Sequence, residues 1–202
     1  MLAAWADAAS AGECELHIWP ANATGTNIGG WLSNLGPAAA AADYEQNKDA
    51  NLRDQAALIE ALPPRAQAEA LAKADLPALL GMAGARVTFE SRPLEARSIA
   101  RERGRRTASK AACYAELIVR LNFYRRSAVY GRQLTSHVAF KDYRSGTTEA
   151  KIVSGKETSA VPFFPPTTAA DEARSREQLA DAFVANVSEF ARKAGKRNRA
   201  PD

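Results

Sequence analysis

Hydrophobic and polar positions alternate most regularly from Cys113 to Arg126, in CYAELIVRLNFYRR. On an extended chain Leu117, Val119, Leu121 and Phe123 share one face, and Glu116, Arg120, Asn122 and Tyr124 the other. This predicts a long, half-buried strand. SAVYGRQ supplies a turn at Gly131, and LTSHVAFKDY alternates again with Leu134, Val138 and Phe140 inward. Arg144 to Thr147 reads as a hairpin turn and Ala150 to Ser159 as a further strand. Three strands joined by short turns make an antiparallel meander.

The flanking segments are helical or irregular. ELHI at Glu15 to Ile18 is a short strand ended by Pro20, and GTNIGG at 25–30 reads as a loop. From Asp43 the apolar spacing becomes helical: Leu52, Ala56, Ile59 and Leu62 recur at three or four, and Pro63-Pro64 stops the run. A second helix spans Arg65 to Lys73, a turn surrounds Leu76 to Leu80, and Arg86 to Glu90 is a strand. After Phe163-Phe164-Pro165-Pro166, Thr168 and Asp171 resemble a capping box. Leu179, Phe183, Val187, Phe190 and Ala194 then form one helical stripe, with Gly195 at the C-terminal stop. The expected fold class is α+β: β-α-α-β, then a three-stranded antiparallel meander covered by a C-terminal helix, in a single sheet. The expected divisions are an N-terminal segment at 1–13, one domain at 14–195 and a basic tail at 196–202.

Length and composition agree with one domain: 202 residues, 46% hydrophobic. Charge changes the picture more. The chain carries a formal +4, and Arg97 to Arg132 holds ten Lys or Arg against Glu102 and Glu116. Arg101, Arg103, Arg105, Arg106, Arg120, Arg125 and Arg126 are therefore candidate anion-binding residues, with anionic lipid or nucleic acid as partners. Glu102 alone cannot pair the dense arginines at 101–106, which are expected to be exposed. Tyr114 and Tyr124, on the face predicted for Arg120, offer stacking surfaces for bases. The bland reading of the run is a solvated face.

The N-terminus is Ala-rich, without the positive start of a complete signal peptide, but Ala9-Ser10-Ala11 has the form of a cleavage site. A signal remnant and an ordinary flexible terminus both fit. No run is apolar enough for a membrane helix.

Chemistry is sparse, because there are only two cysteines and two histidines. In a strand, Cys14 and His17 point to opposite faces and cannot chelate one ion as a pair. His137 is out of phase with Val138 and Phe140 and should face away from the core. A zinc site would need Cys14, His17, Cys113 and His137 to converge. Cys14 and Cys113 each precede a predicted strand and are a candidate disulfide pair. No nucleophile elbow, phosphate loop or paired-carboxylate spacing occurs, so no catalytic residue, metal or cofactor is assigned. Asp142, at a strand end, has the position of a turn-stabilising residue.

AELIVRLNF, HVAFKDYRSGTTEAKIVSGKE and the helix from Ala169 resemble, in order and turn placement, small α+β domains of bacterial envelope machinery. Examples are the TolB amino-terminal domain and CsgG, and ELHIWPA would match that group's first strand. The resemblance implies a soluble, periplasmic, non-enzymatic accessory or binding domain acting through an envelope protein partner. The alternatives are a nucleic-acid-binding module using the basic 97–132 region and an enzyme with an unrecognised site; the alternative location is cytoplasmic.

Overall fold

The computed structural model describes residues 14–29, 36–92, 94, 104–144 and 150–199. The candidate signal remnant at 1–13, Arg101, Arg103 and residues 145–147 of the expected hairpin turn lie outside these residues. Six strands form one mixed sheet: β1 (Glu15–Trp19), β2 (Thr24–Gly29), β3 (Arg86–Phe89), β4 (Tyr114–Ser127), β5 (Gly131–Asp142) and β6 (Lys151–Ala160). The helices are α1 (Pro37–Gln46), α2 (Lys48–Ala61), α3 (Pro64–Leu71), α4 (Leu76–Leu79) and α5 (Glu172–Arg199).

The α+β class holds, and β4-β5-β6 is an antiparallel meander. The first half differs from expectation. GTNIGG is largely strand rather than loop: Thr24 to Gly29 pairs in parallel with Asn122 to Ser127 of β4. β1 pairs in parallel with Tyr114 to Ile118, so β1 and β2 lie in succession along one edge of β4. Pro20, which lacks a backbone donor, falls at the break between them. β3 then pairs in parallel outside β1, giving the order β3-β1-β4-β5-β6. Parallel pairing requires a long crossover, and the four helices between β2 and β3 supply it.

β4 departs from simple alternation. Its pairing with β5 slips between Val119 and Leu121, leaving Arg120 as the extra residue of a bulge. Beyond it the inward phase reverses. Leu117 and Val119 are buried against the helices, and so are Asn122 and Tyr124, whereas Leu121 and Phe123 turn to the other face and are only half-buried. Tyr124, expected beside Arg120, is therefore a core residue that donates its hydroxyl to Phe164 O at 3.0 Å.

One face of the sheet carries the main core. Leu16, Ile18, Leu117, Val138 and Phe140 meet Leu58, Leu62, Leu71 and Leu76 from the helices and Leu179, Phe183, Val187 and Phe190 from α5. On α2 the buried side is Asn51, Asp54 and Leu58, one position off the expected stripe, and Leu52 and Ile59 are more than half exposed. The polar pair is only partly satisfied in the inward positions: Asn51 Oδ1 accepts from Ile28 N at 2.8 Å and Asp54 faces Arg126 at 3.9 Å, while Asn51 Nδ2 and Asp54 Oδ2 have no hydrogen-bond partner among the described residues. α5 does not stop at Gly195 but continues to Arg199. A Cβ at Gly195 would stand 2.2 Å from Leu79 O, so this glycine is a point of close helix contact, not a cap. Thr168 donates to Asp171 at 2.8 Å ahead of α5.

Candidate functional site

The strongest concentration of chemistry lies on the other face of the sheet, at the N-terminal ends of β1 and β4. Parallel register sets Glu15 beside Tyr114 and His17 beside Glu116; antiparallel register sets Glu116 beside Lys141. All point away from the helices because they alternate with Leu16, Ile18, Ala115, Leu117 and Phe140. Residues 104–109 pass over them, so this second face is buried as well.

Glu116 is fully buried. Its Oε1 accepts from Arg106 N at 2.7 Å and from the Tyr114 hydroxyl at 3.0 Å. Its Oε2 lies 3.7 Å from Arg106 Nε and 3.9 Å from Lys141 Nζ. Burial pushes the carboxyl's pKa up, against the pull of the Arg106 N–H, Lys141 and Tyr114. Arg105 stacks over Tyr114 at 4.8 Å and donates to Ser109 O and Ala111 O. Tyr143, 5.5 Å from Tyr114, donates to Gly104 O at 2.7 Å, and burial followed by the Glu116 charge pushes its pKa up to about 12.

A chain of polar contacts continues outward. Ser109 Oγ donates to Glu15 Oε2 at 2.5 Å, Glu15 pairs with Arg86, and His17 lies between Glu15 at 3.4 Å and Glu90 at 2.7 Å. The Ser109 hydroxyl, with Arg86 and His17, holds the Glu15 carboxyl down at about 2 against a partial desolvation. Above His17 opens a cleft of about 560 Å³ lined by His17, Trp19, Glu90, Arg92, Leu94 and Arg106. Trp19 packs on Ile118 and Leu94 to form its apolar wall.

This arrangement is built to hold. Each imidazole nitrogen of His17 faces a carboxylate, and the buried Glu116 is turned to its own counter-charges instead of the cleft. No group of three His, Cys, Asp or Glu among the described residues is placed to hold a metal ion. Cys14 and Cys113 are joined in a disulfide with Cα atoms 4.5 Å apart. The bond ties the start of β1 to the start of β4, where Glu15 N also donates to Cys113 O at 2.9 Å.

The arginines read from the sequence do not form one surface. Arg106 is not exposed as expected: its side chain is 3% accessible, because Glu116 needs a counter-charge. Arg105 is half-buried on its tyrosines. Arg120 is exposed at the bulge. Arg125 lies over Tyr130 at 4.8 Å, whereas Arg126 turns to the helix side and Asp54. Tyr114 and Tyr124 are buried on opposite faces, so neither offers a stacking surface. Phe123 takes that position: a Cβ at Gly25 would come within 2.8 Å of its ring, so the glycine lets the ring lie against β2. His137, opposite Lys156 and near Arg120, does face away from the core, and burial with those two cations pushes its pKa down. Asp142 stabilises its turn as expected, accepting from Arg144 N at 2.9 Å.

Glu15, Glu90, Glu116 and Lys141 fall in no sequence motif that marks a site. Charges amid apolar runs, as in AELIV and AFKD, are the only sequence signal for the last two.

No family model matches the chain, and no curated protein is similar to it. One solved structure, described as "Crystal structure of uncharacterized protein", is similar at 9% identity and a TM-score of 0.35, over 91% of this chain and 92% of that one.

Proposed function

We propose that this chain is a binding or accessory domain of the bacterial envelope, working outside the reducing cytoplasm and acting through protein contacts rather than catalysis. The Cys14–Cys113 disulfide carries this reading, since structural disulfides persist in oxidising compartments. The meander followed by a long helix agrees with the envelope-domain resemblance. The cleft beside His17 and Trp19 is the contact site of choice. It offers an aromatic wall, both signs of charge and a rigid floor, features suited to a short protein segment. Fractionation of cells, with alkylation of free thiols before lysis, tests the compartment. The expected result is an oxidised protein outside the cytoplasm; purely cytoplasmic protein with reduced cysteines overturns it. A photo-crosslinking residue at Arg92 should capture a specific envelope protein.

A second reading has its own observation. Arg120, Arg125 and Lys156, with Phe123 seated over Gly25, supply cations and an aromatic ring on one side of the sheet, the combination that single-stranded nucleic acid uses. Affinity for an oligonucleotide that falls steeply with salt and is lost in Arg120→Ser/Arg125→Ser would favour it.

A further inference from the structure

A second concave site lies at the other end of β4, on the helix-covered side, roughly 30 Å from Glu116 at ~3.3 Å per strand residue. Its walls are Arg53 and Asp54 of α2, Arg126 of β4, Arg132 of β5, and Pro165 and Thr167 before α5, around a volume of about 340 Å³. It stands independently of the function proposed above.

Three guanidinium groups here meet one carboxylate, leaving two positive charges in excess. Local contacts take up only some of their N–H donors. Arg126 approaches Asp54 Oδ2 only to 3.9 Å, beyond hydrogen-bond distance. Arg132 donates through Nη1 to Pro162 O at 3.2 Å and, more weakly, to Phe164 O and Pro165 O at 3.5 Å. These contacts hold one corner of the guanidinium on backbone carbonyls and leave Nε and Nη2 without an acceptor among the described residues. Arg53 is exposed and donates only Nε, to Asp49 O at 3.4 Å. The neighbouring acids Glu60 and Glu172 both lie against Arg176 instead.

Asp54 is the complementary feature. It is 7% exposed, and its Oδ2 has no hydrogen-bond donor. A buried, unpaired carboxylate oxygen costs stability unless a donor reaches it. The pocket therefore presents guanidinium forks for an anion and, beside them, an acceptor for a hydroxyl.

We propose that this pocket binds a phosphomonoester carrying a neighbouring hydroxyl, with Arg53, Arg126 and Arg132 on the phosphate and Asp54 Oδ2 accepting from the hydroxyl. Such a phosphate carries about −1.5 to −2 at neutral pH, matching the excess charge, and its oxygens fit arginine's bidentate geometry. Inorganic phosphate can answer Asp54 only with a P–OH of its own, which turns that oxygen away from the arginines, whereas a separate hydroxyl leaves all three terminal phosphate oxygens to the guanidinium groups. The same chemistry occurs in a free polyol phosphate and in a phosphate-bearing lipid headgroup.

Calorimetric titration of the oxidised full chain with glycerol 3-phosphate, with inorganic phosphate and with glycerol tests the pocket. Flotation with phosphatidylcholine vesicles, with and without lipids bearing a phosphomonoester and a free hydroxyl, separates the two sources. Glycerol 3-phosphate should bind at least tenfold more tightly than inorganic phosphate, and glycerol not at all. Binding to vesicles alone would assign the site to a lipid headgroup and still support it. Arg53→Ala, on an exposed helix surface, should keep the fold and lower affinity at least fivefold. Arg126→Lys, which keeps the charge but removes the fork, should lower it about tenfold. Asp54→Ala should abolish the preference over inorganic phosphate. No binding of either phosphate form at millimolar concentration overturns the proposal, as does binding unchanged in both arginine variants.

Discussion

Arg106 and Glu116 are joined twice: the backbone N–H of Arg106 donates to Glu116 Oε1 at 2.7 Å, and its Nε lies 3.7 Å from Oε2. The pairing couples a segment outside the sheet to the N-terminal end of the central strand. It also makes a basic residue read as surface into part of the interior.

Breaking this cluster on one side should be costly. Glu116→Ala leaves Arg106 and Lys141 buried without their carboxylate, and the expected loss is about 3–5 kcal/mol in urea unfolding. Arg106→Met/Glu116→Leu/Lys141→Met, which removes all three charges, should recover most of it. A triple variant no more stable than Glu116→Ala would show that the network contributes through its hydrogen bonds and not its charge balance.

Glu15 and Glu116 should give pH dependences of opposite sign. Glu15 is held at about 2 against an ordinary value of 4.5, so its contribution is complete above pH 4.5 and lost as pH falls through about 2. Glu116 is raised, so its contribution is complete below its unfolded value of 4.5 and lost as pH rises through the folded value. Glu15→Gln should lower stability at neutral pH and flatten the acid limb between pH 4.5 and 2. An unchanged acid limb would remove Glu15 from the account.

Reducing the disulfide should matter at equilibrium. The bridge closes a loop with a sequence separation of 99, which restricts the unfolded chain by roughly 3–5 kcal/mol. Cys14→Ser/Cys113→Ser should therefore melt well below the oxidised protein. Reductant should lower the melting temperature of the native protein but not of the variant.

At Gly195 helix propensity and packing disagree. Alanine is favoured over glycine within a helix by about 1 kcal/mol. Its Cβ would, however, stand 2.2 Å from Leu79 O and 3.1 Å from Leu80 backbone atoms, which α4 cannot yield cheaply. Gly195→Ala should therefore be destabilising by about 2 kcal/mol or more, set by the overpacking cost. A stabilising substitution would mean that α5 does not approach α4 this closely.

Local pattern by itself determined the meander and the final helix. Alternation in LIV and HVAF, and the stripe from Leu179 to Ala194, are short-range signals set by strand and helix periods. The phase of Cys14 against His17 and the turn role of Asp142 followed from the same geometry, and the two cysteines were legible as a pair. The tertiary structure decided the rest. GTNIGG has little strand propensity and becomes β2 because the open edge of β4 is available to it. The bulge at Arg120 reverses the faces of Tyr124 and Phe123, since one extra residue shifts a period of two. Gly195 has the sequence character of a helix stop, yet it permits a close helix crossing with α4. Alternation puts Glu116 and Lys141 on the face opposite the core without saying whether that face is covered. It is covered, so charges 25 residues apart became one buried network with Arg106.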